Sequence, residues 1–399
     1  MPASPIRRLM PYAEAAAKRG IKIYHLNIGQ PDIGTPAEFW EGIRSKQLKV
    51  LEYCHSAGNA SLREKMAAYY RTIGIEVSSD ELMVTTAGSE ALRFAFLSCL
   101  NPGDEVIVPE PLYANYLGFA CEAGINIVPI TTRIEDGFRL PNTETFEGKI
   151  TARTRGILIC NPSNPTGTVY TADQLLELRD LALKHDLFIF ADEVYREFNY
   201  SDEKLLSVLE IEGLEQHAIM LDSVSKRFSL CGARIGFIVS RNRDVMSCAL
   251  KFAQARLSPP TLEQFGIEAA LDNTPASYFS SVREEYRSRK DLLRRTLNSM
   301  NGVLCPEING AFYATVRLPV DDADKFCQWL LEDFNCNNET VMLAPASGFY
   351  ATEGLGRDEV RIAYVLNEGA LTESMNILYQ ALAAYPGRTA EQPSIFAMA

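Results

Sequence analysis

The chain has 399 residues, of which 47% are hydrophobic and 23% charged, the composition of an ordinary globular protein with one or two domains. Its formal net charge of −12 argues against a surface for nucleic acid or anionic lipid, because phosphates would repel it. No apolar stretch approaches the roughly 20 residues that span a bilayer, and the N-terminus lacks the apolar core of a secretory signal. The cysteines are dispersed without a Cys-x-x-Cys pair, which predicts reduced thiols in a cytoplasmic protein and no metal site.

The predicted elements begin, in chain order, with a helix over residues 61–72 that Ser61 can cap. Residues 84–86 then lead through Gly88 into a second helical stretch. Further along, Thr171 begins an amphipathic helix that it can also cap. Short apolar runs bounded by turn residues predict strands at 104–109, 156–160, 187–191, 218–222 and 235–239.

These predicted strands are nearly continuous apolar runs separated by helices, which is typical of a mostly parallel sheet buried on both faces. In an open α/β sheet, ligands bind beyond the carboxyl ends of the strands. Four motifs follow such ends directly, and they are centred on Gly88, the segment 161–167, Asp192 and Lys226. The sequence therefore predicts one ligand site at this edge of the sheet.

A different region follows a long helical pattern between residues 274 and 300. Strand-like segments at 310–317 and 360–364, flanked by helices, predict a smaller C-terminal domain. The predicted parts are an N-terminal segment of the small domain (1–35), a large domain (36–275), and an interdomain helix with the small C-terminal domain (276–399).

The most informative motif is Ser223-Val224-Ser225-Lys226-Arg227, with Arg234 shortly after it. Lysine can form an imine with an aldehyde, and serine with arginine is a natural phosphate clamp. The usual fate of a lysine is a solvated surface position. Apolar neighbours, among them Phe228, and the position directly after a strand favour a functional Lys226 instead.

Two further motifs lie upstream. Asp192 ends an apolar strand, where an acidic side chain is either a cap or an electrostatic anchor, and Tyr195 follows it in the same turn. The segment Asn161-Pro-Ser-Asn-Pro-Thr-Gly167 is composed of turn-forming residues, so a plain turn is its ordinary interpretation. Two Asn-Pro steps directly after a buried strand favour a special site, and we expect a cis peptide bond at Asn164-Pro165.

In this order, the motifs resemble those of the class I/II aminotransferases, the fold type I enzymes of pyridoxal phosphate (PLP), from about Leu26 to Asn367. The resemblance implies an α/β fold, with a mostly parallel central sheet in the large domain and a smaller α+β C-terminal domain. It also implies PLP as the cofactor, amino acid and 2-oxo acid substrates, and a homodimer with shared active sites.

The resemblance also implies a role for each matching residue. Lys226 would bond to the cofactor and move a proton between the substrate Cα and the cofactor's C4′ carbon. Asp192 would pair with the pyridine nitrogen, Tyr195 and Asn164 would reach the ring's 3-oxygen, and the Tyr113 ring would stack on PLP.

The phosphate of the cofactor would be bound by Gly88, Ser89, Ser223 and Arg234, because a helix start and a fixed positive charge favour an anion. Tyr53 matches a tyrosine that reaches the phosphate from the neighbouring subunit, although a core aromatic is an equally good interpretation. The substrate α-carboxylate would be bound by Arg361, with Gly29 and Asn164 beside it.

The resemblance is strongest to bacterial aspartate aminotransferases, so aspartate is the favoured donor and 2-oxoglutarate the expected acceptor. The alternatives are an aromatic or small neutral donor, a C–S β-lyase, and a protein that has kept the fold without the chemistry. Two departures bear on this choice. Ala233 stands where many relatives have tryptophan, and Ser89 stands where an aspartate-specific branch has a lysine for the distal carboxylate. A dicarboxylate would therefore need another cation, and the candidates are Arg256, Arg7 and Arg8.

Overall fold

Residues 7–201 and 203–389 are described by a computed structural model. The strands are β1 (Lys22–His25), β2 (Leu82–Thr85), β3 (Glu105–Glu110), β4 (Asn126–Thr131), β5 (Thr154–Cys160), β6 (Phe188–Asp192), β7 (Ala218–Ser223), β8 (Gly236–Val239), β9 (Tyr313–Arg317), β10 (Glu339–Met342), β11 (Ala344–Pro345) and β12 (Glu359–Ala363). The α-helices are α1 (Met10–Lys18), α2 (Ala37–Arg44), α3 (Ala60–Thr72), α4 (Ala87–Cys99), α5 (Asn115–Ala123), α6 (Thr143–Glu147), α7 (Ala172–His185), α8 (Val224–Arg227), α9 (Arg243–Arg256), α10 (Thr261–Asn273), α11 (Ala276–Asn298), α12 (Ala323–Glu332) and α13 (Glu368–Ala384).

The central sheet has seven strands in the order β2-β8-β7-β6-β5-β3-β4. From β7 to β4 all neighbours are parallel, whereas β8 runs antiparallel to both β7 and β2. The prediction of a mostly parallel sheet is therefore confirmed, and all five predicted strands are present. The carboxyl ends of β5, β6 and β7 lie side by side, so the segments that follow them meet at one edge.

The sheet is covered on both faces, which explains why its strands are continuous apolar runs. Along β5, Leu158 packs into the core on one face, and Ile157 and Ile159 pack into the core on the other. In β6, Phe190 packs into the same core as Leu158, and Ile189 packs into the same core as Ile157 and Ile159. Since side chains alternate along a strand, a sheet between two layers needs an apolar residue at every position.

Two smaller sheets lie outside the central one. Strands β11, β12 and β9 form an antiparallel sheet, and β1 pairs in parallel with β10, so that Lys22 lies opposite Glu339. The first strand of the chain thus completes a sheet with a strand from its last quarter. The domain boundaries at residues 36 and 276 stay predictions. None of the described helices is both long and apolar enough to cross a membrane.

The two predicted helix caps have different outcomes. Thr171 caps α7 as predicted, because its side chain accepts from the Gln174 backbone N–H and the Gln174 side chain accepts in return. The prediction for Ser61 is wrong. Asn59 occupies the N-cap position, and Ser61 lies inside the first turn of α3, where its hydroxyl donates to Glu268 at 2.7 Å.

Candidate active site

A cavity of about 460 Å³ opens at the carboxyl ends of the central strands. The predicted residues that line it are Gly29, Gly88, Ser89, Tyr113, Asn164, Asp192, Tyr195, Ser223, Lys226, Arg234 and Arg361. Tyr53 is not among the lining residues, and its side chain is 78% exposed. One cavity therefore brings together side chains that lie up to hundreds of positions apart in the sequence.

Lys226 stands on α8, the short helix that follows β7 directly. The hydroxyl of Ser223 caps this helix by accepting from the Ser225 backbone N–H at 3.2 Å. The Lys226 Nζ donates to the Gly29 carbonyl oxygen at 2.8 Å and lies 3.7 Å from the Cys231 Sγ. The amine is thus held at the cavity wall by a single strong acceptor, and no carboxylate among the described residues forms an ion pair with it.

Gly29 itself is fixed by close packing rather than by an unusual backbone angle. A Cβ at position 29 would lie 1.6 Å from the Tyr313 hydroxyl oxygen, so no larger residue fits there. The backbone of Gly29 can therefore approach both Tyr313 and the Lys226 amine. This contact ties the N-terminal segment to the edge of the central sheet.

Asp192 is the last residue of β6, and its carboxylate faces the cavity. The Tyr116 hydroxyl donates to it at 2.6 Å and the Val194 backbone N–H at 3.4 Å. Burial raises the pKa of Asp192 to about 6, although these two donors lower it. Within the described chain no cation pairs with this carboxylate, so the site has room for a positively charged partner.

A hydrogen-bonded chain crosses the opposite wall. The Asn164 Nδ2 donates to the Tyr195 hydroxyl at 3.3 Å, and the Tyr195 and Tyr313 hydroxyls are 3.0 Å apart. The Asn164 Oδ1 accepts from the Arg361 Nη1 at 3.0 Å. The Asn164-Pro165 peptide bond is cis, as predicted, and cis bonds that were not predicted precede Pro162 and Pro111.

Arg361, on β12, is 2% exposed. Its Nη2 donates to the Asn27 carbonyl at 2.6 Å, its guanidinium lies 4.6 Å from the Tyr313 ring centroid, and its Nε has no hydrogen-bond partner. Burial lowers the pKa of Arg361, and no described carboxylate lies within ion-pairing distance of it. A buried guanidinium of this kind is costly unless a ligand supplies the missing negative charge.

The start of α4 forms the floor of the cavity. The Thr86 side chain does not cap this helix, whose first turn contains Gly88 and Ser89, and the Glu90 carboxylate accepts from the Thr86 backbone N–H at 2.7 Å. Strand β8 passes very close to it: a Cβ at Gly236 would lie 2.6 Å from the Gly88 backbone nitrogen. The backbone N–H groups at Gly88 and Ser89 face the cavity at a helix start, which favours an anion, and the exposed Arg234 with Ser223 adds a cation and a hydroxyl.

Three contributors were missed by the sequence analysis. Tyr116 holds Asp192, Tyr313 joins Tyr195 to Gly29, and the Cys231 thiol lies beside the Lys226 amine. Tyr313 lies within the strand-like segment 310–317 and has no local signal that separates it from a core aromatic. Tyr116 lies three residues after Tyr113, whose carbonyl accepts from the Tyr116 backbone N–H at 2.8 Å, and this spacing is a signal that could have found it.

The model of the family "Aminotransferase class I and II" matches residues 21–376, so the chain belongs to that family. It is accordingly a PLP-dependent aminotransferase with the fold type I architecture. An aspartate/prephenate aminotransferase of Thermus thermophilus is 31% identical over 364 residues, which are 90% of this chain and 90% of that protein. An aromatic-amino-acid aminotransferase of Thermococcus litoralis is 30% identical over 95% of both chains. The solved structure of the Thermus thermophilus aspartate aminotransferase with maleate has a TM-score of 0.86 at 29% identity, covering 96% of this chain and 97% of that chain.

The residues of the cavity fit PLP. The Lys226 amine can bond to its aldehyde, and the Asp192 carboxylate lacks the cation that a protonated pyridine nitrogen would supply. The start of α4 with Arg234 suits a phosphate. Each of these groups lacks a partner that one part of the cofactor would supply: the aldehyde for Lys226, the pyridine nitrogen for Asp192 and the phosphate for the start of α4 with Arg234.

Proposed function

We propose that this aminotransferase takes the amino group of aspartate and gives it to a 2-oxo acid such as 2-oxoglutarate. The observation that carries the proposal is the convergence of Lys226, Asp192 and Arg361 on one cavity, each without an ionic partner among the described residues. A nucleophilic amine, a carboxylate that stabilises a protonated ring, and a carboxylate-binding guanidinium are what amino transfer needs.

PLP, when bound, supplies an aldehyde that bonds to amines and a ring that takes up the electron pair released at the substrate Cα. Once the substrate amine has displaced it from the aldehyde, the Lys226 amine would take the proton from the substrate Cα and give it to the cofactor's C4′ carbon, because it is the base held at the cavity wall. Asp192 keeps a proton on the pyridine nitrogen. Tyr195 and Asn164 would donate to the ring's 3-oxygen, and Tyr113 would pack against the ring.

Arg361 binds the substrate α-carboxylate through a charge-assisted pair, and Asn164, which already accepts from its Nη1, fixes the guanidinium plane. The Gly29 backbone lies beside this site because Tyr313 leaves no room for a larger residue. At the other end of the cavity Gly88, Ser89, Ser223 and Arg234 bind the phosphate. The phosphate of the cofactor and the α-carboxylate of the substrate are thus bound by separate sets of residues.

The choice of aspartate is supported by the relatives. One is named for aspartate and prephenate, and a solved relative is described with maleate, a four-carbon dicarboxylate. The relative named for aromatic amino acids keeps an aromatic donor as the second candidate. The β-lyase alternative requires the same residues and differs only in its products.

An absorbance titration of the PLP-loaded protein tests the reaction and the donor together. Aspartate should abolish the absorbance of bound PLP, and 2-oxoglutarate should restore it. If alanine or phenylalanine produces this change and aspartate does not, the reaction class holds and the aspartate assignment fails. Ammonia and pyruvate released from cystathionine, without conversion by any amino acid, would identify a β-lyase.

We further propose a homodimer with shared active sites. Tyr53 belongs to a segment in which Val50 and Leu51 are 67% and 57% exposed within one chain. Adjacent exposed apolar side chains favour burial against another chain. Sedimentation equilibrium should give twice the mass of the chain, and Tyr53→Phe should weaken PLP binding. A monomer, or unchanged PLP affinity in the variant, would contradict the shared site.

The strand pairing supports a division of the chain at residues 36 and 276. The pairing of β1 with β10 joins the N-terminal segment to the C-terminal part, while residues 36–275 contain the whole central sheet. Limited proteolysis should cut first near these two boundaries. Cuts first within the central sheet would contradict the division.

A further inference from the structure

Cationic side chains outnumber acidic side chains in the lining of the cavity. Arg7, Lys226, Arg234 and Arg361 are cationic, and Asp192 is the one acidic lining residue of the described chain. This is an electropositive site in a protein whose net charge is −12. A local excess of one sign inside a cavity reflects the charge of what binds there.

The proposed function accounts for all of these cations but one. Lys226 bonds to the cofactor, Arg234 faces its phosphate, and Arg361 binds the α-carboxylate that every amino acid carries. Arg7 has no assigned anion, and no carboxylate of the described residues forms an ion pair with it. A substrate with a second carboxylate would supply the anion for this remaining cation.

The other two arginines considered for this role are already engaged. Arg8 pairs with Asp324 and donates to the Ser347 hydroxyl at 3.5 Å. Arg256 lies 3.1 Å from the Glu90 carboxylate and donates to the Ser56 carbonyl at 2.8 Å. Neither of them lines the cavity of its own chain. Their charges are thus compensated within the chain, whereas that of Arg7 is available to a ligand.

The backbone at Arg7 is anchored although its side chain is exposed. The Arg7 carbonyl accepts from the Met10 backbone N–H at 3.0 Å, which places it in the turn that starts α1. Leu9 in the same turn is 4% exposed, and Met10 lines the cavity beside Arg7. The guanidinium is therefore carried on a packed turn, and a fixed turn can select a ligand more sharply than a free chain end.

We propose that Arg7 binds the distal carboxylate of dicarboxylic substrates and so makes this site specific for aspartate, glutamate and their 2-oxo acids. This inference rests on the proposed function. A guanidinium forms paired hydrogen bonds with a carboxylate, and a four- or five-carbon diacid carries carboxylates at both ends. Ser89 is too short and uncharged to perform this task from the floor of the cavity.

The test compares Arg7→Met with Arg7→Lys and uses Arg8→Met as the matched control from the same turn. In Arg7→Met, kcat/KM for aspartate should fall by roughly 10- to 100-fold, the size of a charged hydrogen bond, and that for alanine and phenylalanine by less than about twofold. Arg7→Lys should recover part of the loss because it retains the charge. Arg8→Met should leave the preference for aspartate over alanine unchanged.

Calorimetry supplies a readout that does not depend on turnover. Succinate should bind the PLP-loaded wild type more tightly than butyrate does, and Arg7→Met should abolish this difference. Equal losses for all donors, an unchanged preference for aspartate, or a larger effect of Arg8→Met would each overturn the assignment. A wild type that accepts no donor would contradict the proposed function instead, and the succinate measurement would then decide on Arg7 by itself.

Discussion

The buried charges near Lys226 fall into two groups, which differ in whether the charges have ionic partners within the described chain. Behind the lysine helix, Arg227 pairs with Asp222 at 2.7 Å and with Glu197 at 3.1 Å, and the Tyr70 hydroxyl donates to Asp222 at 2.8 Å. On the cavity side, Arg361 has no carboxylate partner among the described residues.

The directions in which the pKa values of Arg227 and Arg361 are shifted reflect this difference in pairing. Burial lowers the pKa of both arginines, but the surrounding carboxylates raise the pKa of Arg227 well above its usual value, whereas that of Arg361 stays lowered. Charges that are paired within the chain hold the structure, and charges left without a partner are available to a ligand.

The largest expected effect concerns the amine between these two groups. Lys226→Ala removes the proposed base, so amino transfer from aspartate should slow by about 10²- to 10⁴-fold. Single-turnover kinetics would measure this, with the melting temperature as a check that the fold is retained. An activity within tenfold of the wild type would exclude Lys226 as the base.

The next prediction concerns a substitution that removes the cation of the paired group, Arg227. Arg227→Met leaves the Asp222 carboxylate buried without its cation, and should lower the free energy of unfolding by about 3–5 kcal/mol. Urea unfolding of the PLP-free protein would measure it. A change below about 1 kcal/mol would mean that the pair does not hold the lysine helix.

The matched change on the cavity side, Arg361→Met, should have a smaller effect on stability and a clear effect on activity. Arg361→Met removes a buried charge that has no carboxylate partner, so it should destabilise the PLP-free protein by clearly less than Arg227→Met does. It should lower kcat/KM for all amino acid donors alike, by roughly 10- to 100-fold. A loss confined to aspartate would place Arg361 at the distal carboxylate, against the proposal.

The smallest effect is a pH dependence from Asp192. Its pKa is raised to about 6 in the folded protein, against roughly 3.9 when unfolded, so its ionisation opposes folding as pH rises between these values. PLP-free Asp192→Asn should therefore gain stability relative to wild type from pH 4 to pH 6, and keep a constant advantage above it. Urea unfolding at several pH values would measure the gap, and a gap independent of pH would contradict the raised pKa.

Much of this arrangement could be predicted because it depends on local sequence. Continuous apolar runs identified the buried strands, and polar residues directly after them identified the ligand edge. The direction of β8 could not be predicted, because a buried strand has the same apolar pattern whether it runs parallel or antiparallel. Ser61 was assigned as a cap because helix starts shift by a residue or two without changing the pattern.

The site itself was less accessible to sequence reasoning. Tyr313, on β9, contacts Tyr195, in the segment after β6, and these two residues are 118 positions apart in the chain. The choice among Arg7, Arg8 and Arg256 depends on which guanidinium already has a partner. Adjacent arginines look alike in a sequence, and only the fold decides that one faces a carboxylate and the other a cavity.

The pairing of β1 with β10 has a consequence for the making of the protein. During synthesis, Lys22–His25 emerges early, but its partner Glu339–Met342 leaves the ribosome only near the end. Gly29 follows β1, so the acceptor of the Lys226 amine is positioned late, after the central sheet has been made. One of the two buried cores also contains residues from both ends of the chain, among them Leu26 and Val341, so this core and the active site are completed only when nearly the whole chain has been made.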